Sequence, residues 1–396
     1  MDDTLLRYYE QELTYIRQMG AEFAHRYPKI AGRLLLEDDG SEDLHVERLI
    51  EAFAFIGARI HKRIDDDFPE IVQSLLNIIY PHYTAPIPSM VMVQFDPIRQ
   101  NLTEAGYQID RGTPLFSQPV AGSPCNFTTS MPVRMWPVSV ERVGFKEPDY
   151  SRNDGALLVL EIELASYNNV PLAELAWQEL RFYLNGQAHH VFRLYELLMN
   201  NVLAVELEVL GEQGQPRRVN LPPGAIQPAG FGEDEALLPF TNRSFPGYRL
   251  LQEYFCLPEK FLFLDIRGIR ALAQLHAESS CTLRFFLNKN PEVRIVVDKN
   301  TFALNVTPAI NLFQRLGEPI RVEYMKPEYQ VIPDLRRRNA TEVYSLDRVV
   351  SSNGNAEPVE FKPFYSIRHH LAEARSLKRQ VFWHSQRRAS EAKDDR

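Results

Sequence analysis

Two grammars divide the chain. Up to Tyr80, apolar side chains recur at helical spacing. From Met90 onward they come in short runs broken by Gly, Pro and Asn. Leu5, Tyr9, Leu13, Ile16 and Phe23 fall near one face of a helix expected over residues 4–27, with Thr4 as its N-cap and Pro28 as its stop. A second helix is expected over residues 44–64, and at ~1.5 Å per residue it spans roughly 30 Å. Its Val46, Leu49, Ile50, Phe53, Ile56, Gly57, Ile60 and Ile64 make an apolar stripe, and Phe55 widens it. That arc exceeds the ~100° a helix needs to pack on one neighbour. Asp67 then reads as the cap of a third helix, with Pro69 in its first turn and Ile71, Val72, Leu75, Leu76, Ile78 and Ile79 as its apolar residues. Pro81, Pro86 and Pro88 end it in an extended linker.

Strands are expected at Met90–Asp96, Val133–Val143, Leu157–Leu164, Leu180–Asn185, Val202–Leu210 and Phe261–Ile266, with short helices at Ala188–Asn200 and Phe245–Phe255. The fold class that follows is α+β: an N-terminal helical bundle arm, then β-rich, sandwich-like domains. The expected division is a helical arm and linker over 1–88, β-rich domains over 89–215 and 216–367, and the start of a C-terminal region with a polar tail over 368–396. Leu180-Arg-Phe-Tyr-Leu-Asn185 echoes Leu283-Arg-Phe-Phe-Leu-Asn288. Either a duplicated domain or shared strand propensity would produce that likeness.

The helical stripe poses the functional question. Each large apolar side chain fully buried contributes ~1.5–3 kcal/mol, and a contiguous apolar surface left in water aggregates. Two readings stay open: the three helices cover one another, or they pair with helices of another chain. The proline-rich linker favours the second slightly, since it lets the arm project.

Composition narrows the rest. A formal net charge of -8 over 396 residues argues against a nucleic-acid backbone or an anionic membrane as the main partner. No apolar run approaches the ~20 residues of a membrane span. The acidic N-terminus does not resemble a signal peptide, and the protein is expected to work in the cytoplasm. Cys125, Cys256 and Cys281 form no CxxC pair, so reduced core thiols are expected.

Chemistry is sparse. No phosphate-binding loop is present, and Gly230-Phe-Gly232 lacks the third glycine of a dinucleotide site. His189-His190 and His369-His370 are adjacent pairs whose rings are expected to diverge, and His384 stands alone. Asp65-Asp66-Asp67 fits helix capping better than a cation site. No catalytic residue, metal or cofactor is expected. The alternatives from other classes are a metal-dependent hydrolase using His189, His369 or His384, and a β-sandwich sugar-binding protein.

Several blocks resemble the TssF (ImpG/VasA) family of type VI secretion baseplate proteins. They are Tyr8-Tyr-Glu-Gln-Glu-Leu13, Tyr27-Pro-Lys-Ile-Ala-Gly-Arg-Leu34, His45-Val-Glu-Arg-Leu-Ile-Glu-Ala-Phe-Ala-Phe55 and Tyr80-Pro-His-Tyr83 with Pro88-Ser-Met90. Further on come Asp234-Glu-Ala-Leu-Leu-Pro239, Gly247-Tyr-Arg-Leu-Leu-Gln-Glu-Tyr-Phe255, Pro258-Glu-Lys-Phe261, Asn305-Val-Thr-Pro-Ala-Ile-Asn-Leu-Phe313 and Val381-Phe-Trp-His384. The resemblance implies a non-enzymatic wedge subunit that joins a second TssF copy and TssG through a shared bundle of N-terminal helices. Around it would lie TssK, TssE and the sheath, on a cytoplasmic baseplate docked at the inner-membrane complex. Family members are usually longer, with a further C-terminal region, whereas this chain stops in a polar tail after Trp383; either it is truncated or the remainder is not included in it. On this reading Leu13, Ile16, Leu49, Phe53, Ile56 and Ile60 form the partner-binding face of the arm.

Overall fold

The computed structural model describes residues 3–37, 40–41, 43–67, 69–120, 122–148, 155–168, 170–211, 214–241, 244–291, 293–323, 325–337, 340–352, 358–364 and 381–387. The chain divides into two compact units, Met1–Thr84 with Arg348–Arg396, and Ala85–Asp347. The boundary after Thr84 falls inside the proline-rich segment expected to be a linker.

The first unit opens with α1 (Asp3–Arg26), the single turn α2 (Pro28–Ala31) and a minimal hairpin of β1 (Leu36–Glu37) and β2 (Gly40–Ser41). α3 (Leu44–Asp67), α4 (Pro69–Ile79) and the turn α5 (Pro81–Thr84) follow. α1 already begins at Asp3, so Thr4 lies inside its first turn and does not cap it. α3 runs on through the acidic triplet, where Asp65 accepts a hydrogen bond from the Tyr8 hydroxyl. The capping role expected of the Asp67 side chain lies outside the described residues.

α1 and α3 pack antiparallel, as three cross-links along their length show. Tyr8 bonds to Asp65, Glu12 Oε1 sits 2.7 Å from His61 Nδ1, and Arg17 bonds to Glu47. The Arg17 guanidinium holds the Glu47 carboxyl below its usual range, against a smaller opposing effect of burial. α3 meets α1 with small residues. Ala54 and Ala58 are both 0% exposed. On the same face Gly57 leaves room for a carboxylate, since an added Cβ would lie 3.1 Å from Glu12 Oε2. Small side chains let two helix axes come close, and large ones on that face would push them apart.

The second unit is built on antiparallel strands. In chain order they are β3 (Met90–Gln94), β4 (Tyr107–Ile109), β5 (Pro114–Phe116), β6 (Asn126–Thr129), β7 (Val133–Met135), β8 (Val138–Lys146), β9 (Leu158–Ser166) and β10 (Glu179–Leu184). α6 (Ala188–Asn200) leads to β11 (Val202–Leu210), β12 (Pro216–Asn220) and β13 (Ile226–Ala229). After α7 (Pro246–Cys256) come β14 (Phe263–Arg267), β15 (Ser280–Leu287), β16 (Phe302–Ala303) and β17 (Val306–Ile310).

One sheet runs β12-β11-β15-β9-β8 and another β13-β14-β10-β16. Both contribute to one apolar core, which α6 completes with Val191, Leu194, Leu197 and Leu198. β9 shows the logic of the layer. Leu160, Ile162 and Leu164 enter the core, while Glu161 and Glu163 point to the other face. There a charged row crosses the strands. Lys146 lies 2.5 Å and Arg284 2.9 Å from Glu161, and Arg284 lies 2.7 Å from Glu208, which Arg218 also holds. A third sheet, β3-β17-β6-β5, and the pair β4-β7 complete the unit.

Strand order corrects the expected domain division. Residues 215 and 216 mark no gap, because β11 and β12 are neighbours and β15 pairs with both β11 and β9. The strand expected at Val133–Val143 is two, β7 and β8, separated by Trp136-Pro137. The echoed hexapeptides lie in β10 and β15, inner strands of different sheets, and α6 follows only the first. Their likeness is the alternation that both need: Leu180, Phe182 and Leu184 in one, Leu283, Phe285 and Leu287 in the other, all buried. Beyond Asp347, β18 (Val349–Ser351), β19 (Val359–Pro363) and β20 (Phe382–Trp383) form a small sheet. The basic run at Arg375, Lys378 and Arg379 and the polar tail lie outside the described residues.

Enlarging Ala58 to leucine is expected to destabilise the helical unit by ~1–3 kcal/mol through overpacking against α1. Truncating the exposed Ile60 to alanine is expected to change stability by under about 0.5 kcal/mol. Urea unfolding of the two variants, followed by circular dichroism, checks the contrast.

Candidate interaction surfaces

Because α3 spends its alanines on α1, its large residues face elsewhere. Leu49, Phe53, Ile56 and Ile60 are 60%, 66%, 52% and 54% exposed. Their spacing lines one stripe, which Ile64 extends at its C-terminal end. Leu13 and Ile16 of α1 are half-buried. The six residues expected to face a partner therefore separate into four on an open stripe and two partly enclosed within α1 and its surroundings. Val72, Leu75 and Ile79 of α4 are exposed as well. Within the described residues the three helices do not cover this surface.

α7 repeats the inversion by other means. Its Arg249 and Glu253, one turn apart, are buried, and Lys260 joins them in the turn that follows. Its outward positions are Tyr248, Leu251 and Phe255, with Phe245 just before the helix; all are exposed, Phe255 at 82%. The buried charges are used to hold a loop. Glu253 Oε1 accepts the backbone N–H groups of Leu237 and Leu238 at 2.9 and 3.0 Å, and its Oε2 accepts from the Lys260 ammonium. Arg249 Nη2 donates to the carbonyls of Phe231 and Gly232, both at 3.3 Å, and its guanidinium lies 4.9 Å from the centre of the Phe240 ring. Burial pushes the Lys260 ammonium below its usual value, and the Glu253 carboxylate opposes that shift.

The same loop explains the GxG. The N–H groups of Gly230 and Gly232 donate to Glu235 Oε2 at 2.6 and 3.2 Å, so the chain's own carboxylate fills the position an anion would take. Gly230 has φ of +98°, and a Cβ there would meet the Lys260 carbonyl oxygen at 2.5 Å. Glu235 also lies 2.8 Å from Arg181, whose guanidinium grips Asp265 through two bonds of 2.7 and 2.8 Å. Burial works to lower the Arg181 pKa, and the two carboxylates more than offset it, leaving it raised. In the sequence these blocks carry the family resemblance, and their inward role is not marked there. The available signal was Arg249 and Glu253 at i, i+4, which reads equally well as an exposed pair.

The remaining chemical candidates stay dispersed. His189 and His190 open α6 with ring centres 4.0 Å apart, so the expected divergence is not seen, yet no group of three or more His, Cys, Asp or Glu that could hold a metal occurs among the described residues. His369 and His370 lie outside them, and His384 is exposed. All three cysteines are free thiols, with Cys281 pushed up to about 12 by burial. No described helix is long and apolar enough to cross a membrane.

Comparison with known proteins places this architecture. The family model for type VI secretion system TssF matches residues 1–396. The curated type VI secretion system component TssF1 of Pseudomonas aeruginosa is 38% identical over 384 residues, which are 93% of this chain and 61% of that protein. A chain in the cryo-electron microscopy structure of the TssK-TssF-TssG baseplate subcomplex superposes with a TM-score of 0.70 at 28% identity, over 85% of this chain and 62% of that one. This chain thus spans less than two thirds of either protein.

Replacing Glu253 with alanine strands Arg249 and Lys260 in the interior and is expected to cost ~3–5 kcal/mol. Replacing Glu253 with leucine and Lys260 with methionine together removes both buried charges of that pair and is expected to cost less. Thermal unfolding of the three proteins side by side makes the comparison.

Proposed function

The chain belongs to the TssF family of the type VI secretion system, and from that membership we propose that it is a structural subunit of a type VI secretion baseplate wedge. Its work is assembly. The solved relative sits in a complex of TssK, TssF and TssG, and the corresponding partners here are a TssG subunit, a second copy of this chain and TssK, with TssE and the sheath beyond them. The wedge is a cytoplasmic platform for the contractile sheath and inner tube, docked at the inner-membrane complex. No catalytic step belongs to this role.

One observation carries the reading: Leu49, Phe53, Ile56 and Ile60 form an exposed stripe on a helix whose opposite side is already paired. A stripe at this spacing fits the ridges of a further helix. Burying the four side chains would contribute ~1.5–3 kcal/mol each, before the costs of association are subtracted. Leu13 and Ile16 lie in the same unit, and we place them at the margin of this interface.

Phe53→Asp is expected to abolish co-purification with TssG, because an unpaired charge in an apolar interface costs several kcal/mol. Phe53 is exposed in the chain alone, so the variant is expected to keep wild-type helicity by circular dichroism. Recovery of the complex at wild-type yield would overturn the assignment of this face.

A further inference from the structure

β10 is an inner strand only at its C-terminal end. β14 pairs with it from Glu179 to Tyr183, whereas β16 reaches only Tyr183 and Leu184 on the other edge. Among the described residues, no strand covers that second edge from Glu179 to Phe182. The Leu184 N–H donates to the Leu262 carbonyl at 3.0 Å, and the Asn185 N–H donates to the Thr301 carbonyl at 2.9 Å. These two bonds fix the alternation along the strand. Leu180 and Phe182 turn their backbone groups toward β14, so Glu179 and Arg181 turn theirs toward the uncovered edge.

Past Ala303 the chain leaves β10 to enter β17, and a cavity of about 430 Å³ opens between the two. Its lining includes Glu179, Arg181, Trp136, Gln108, Gln178 and Asn305. The charges in it are already engaged. Arg181 holds Asp265 and Glu235, Glu179 lies 3.6 Å from Arg267, and the Arg134 guanidinium rests 5.1 Å from the Trp136 ring centre. What remains to meet a ligand is backbone, side-chain carboxamides and apolar ring surface. That chemistry matches the main chain of a peptide and not an ion.

We propose that this slot binds an extended, uncharged peptide segment of a partner protein, which adds as a strand to the open edge of β10. At ~3.3 Å per residue the uncovered stretch is about 13 Å long. The site lies in the second unit and does not rest on the α3 interface, so either assignment can fail without the other.

The test uses the intact chain and a synthetic peptide, acetyl-Ser-Val-Ser-Val-Ser-amide, at millimolar concentration, with amide hydrogen exchange read by NMR. Saturable slowing is expected at Glu179 and Arg181, and none at Leu180 and Phe182, whose amides already lie in the β14 ladder. A peptide N-methylated at its valines, unable to donate those hydrogen bonds, is expected to bind about tenfold or more weakly. Gln178→Trp, an exposed substitution that fills the slot, is expected to abolish the effect while leaving the fold intact. Absence of slowing with the unmodified peptide would overturn the proposal. So would equal binding of the methylated peptide, which would mean the cavity accepts side-chain groups and no strand.

Discussion

A helix can turn its bulk outward only when something compact or well satisfied occupies its inner side. In α3 that inner side is Ala54, Gly57 and Ala58 set against α1, with Tyr8, Glu12 and Arg17 reaching across to Asp65, His61 and Glu47. The contact is short-ranged and sterically strict, so it fixes the rotation of α3 about its axis. Once that rotation is set, Leu49, Phe53, Ile56 and Ile60 have no choice of direction. The proposed assembly surface follows from where the alanines are.

α7 reaches the same outcome electrostatically. Glu253 satisfies two backbone donors and an ammonium, and Arg249 satisfies two carbonyls. A buried charge set of this kind adds little net stability compared with a well-packed apolar one, and a partly satisfied one is costly. What it supplies is position. The loop from Gly230 to Phe240 is held by named hydrogen bonds, and the aromatic residues of α7 are presented from a fixed base.

The sequence makes the longer helices and several of the longer strands legible because periodicity is a local property, while short strands such as β4, β5, β6, β13 and β16 carry too few residues to show it. α6 matches its expected bounds, and α1, α3 and α7 differ only at their ends. Strand order was not legible. Between β12 and β15 the chain passes through β13, α7 and β14, and only tertiary pairing reveals that β11, β12 and β15 share a sheet. The stripe of α3 was visible as apolar spacing, but its direction was not, since the large side chains were as able to face α1 as to face away. Leu13 and Ile16 are half-buried, unlike the four exposed residues of the stripe, and spacing alone does not mark that difference. The inward role of Arg249, Glu253 and Lys260 was hidden for a related reason. Charged residues usually face water, and nothing local marks the exceptions.

The rims of the five-stranded sheet are built to stay unpaired. β8 carries a register shift between Val140 and Arg142, with Arg142 and Lys146 along it, and β12 begins at Pro216 followed by Arg217 and Arg218. A bulge, a proline and crowded cations all discourage a neighbouring molecule from continuing the ladder. The five-stranded sheet is therefore closed to growth at both rims, and its size is limited by the chemistry of its outermost strands.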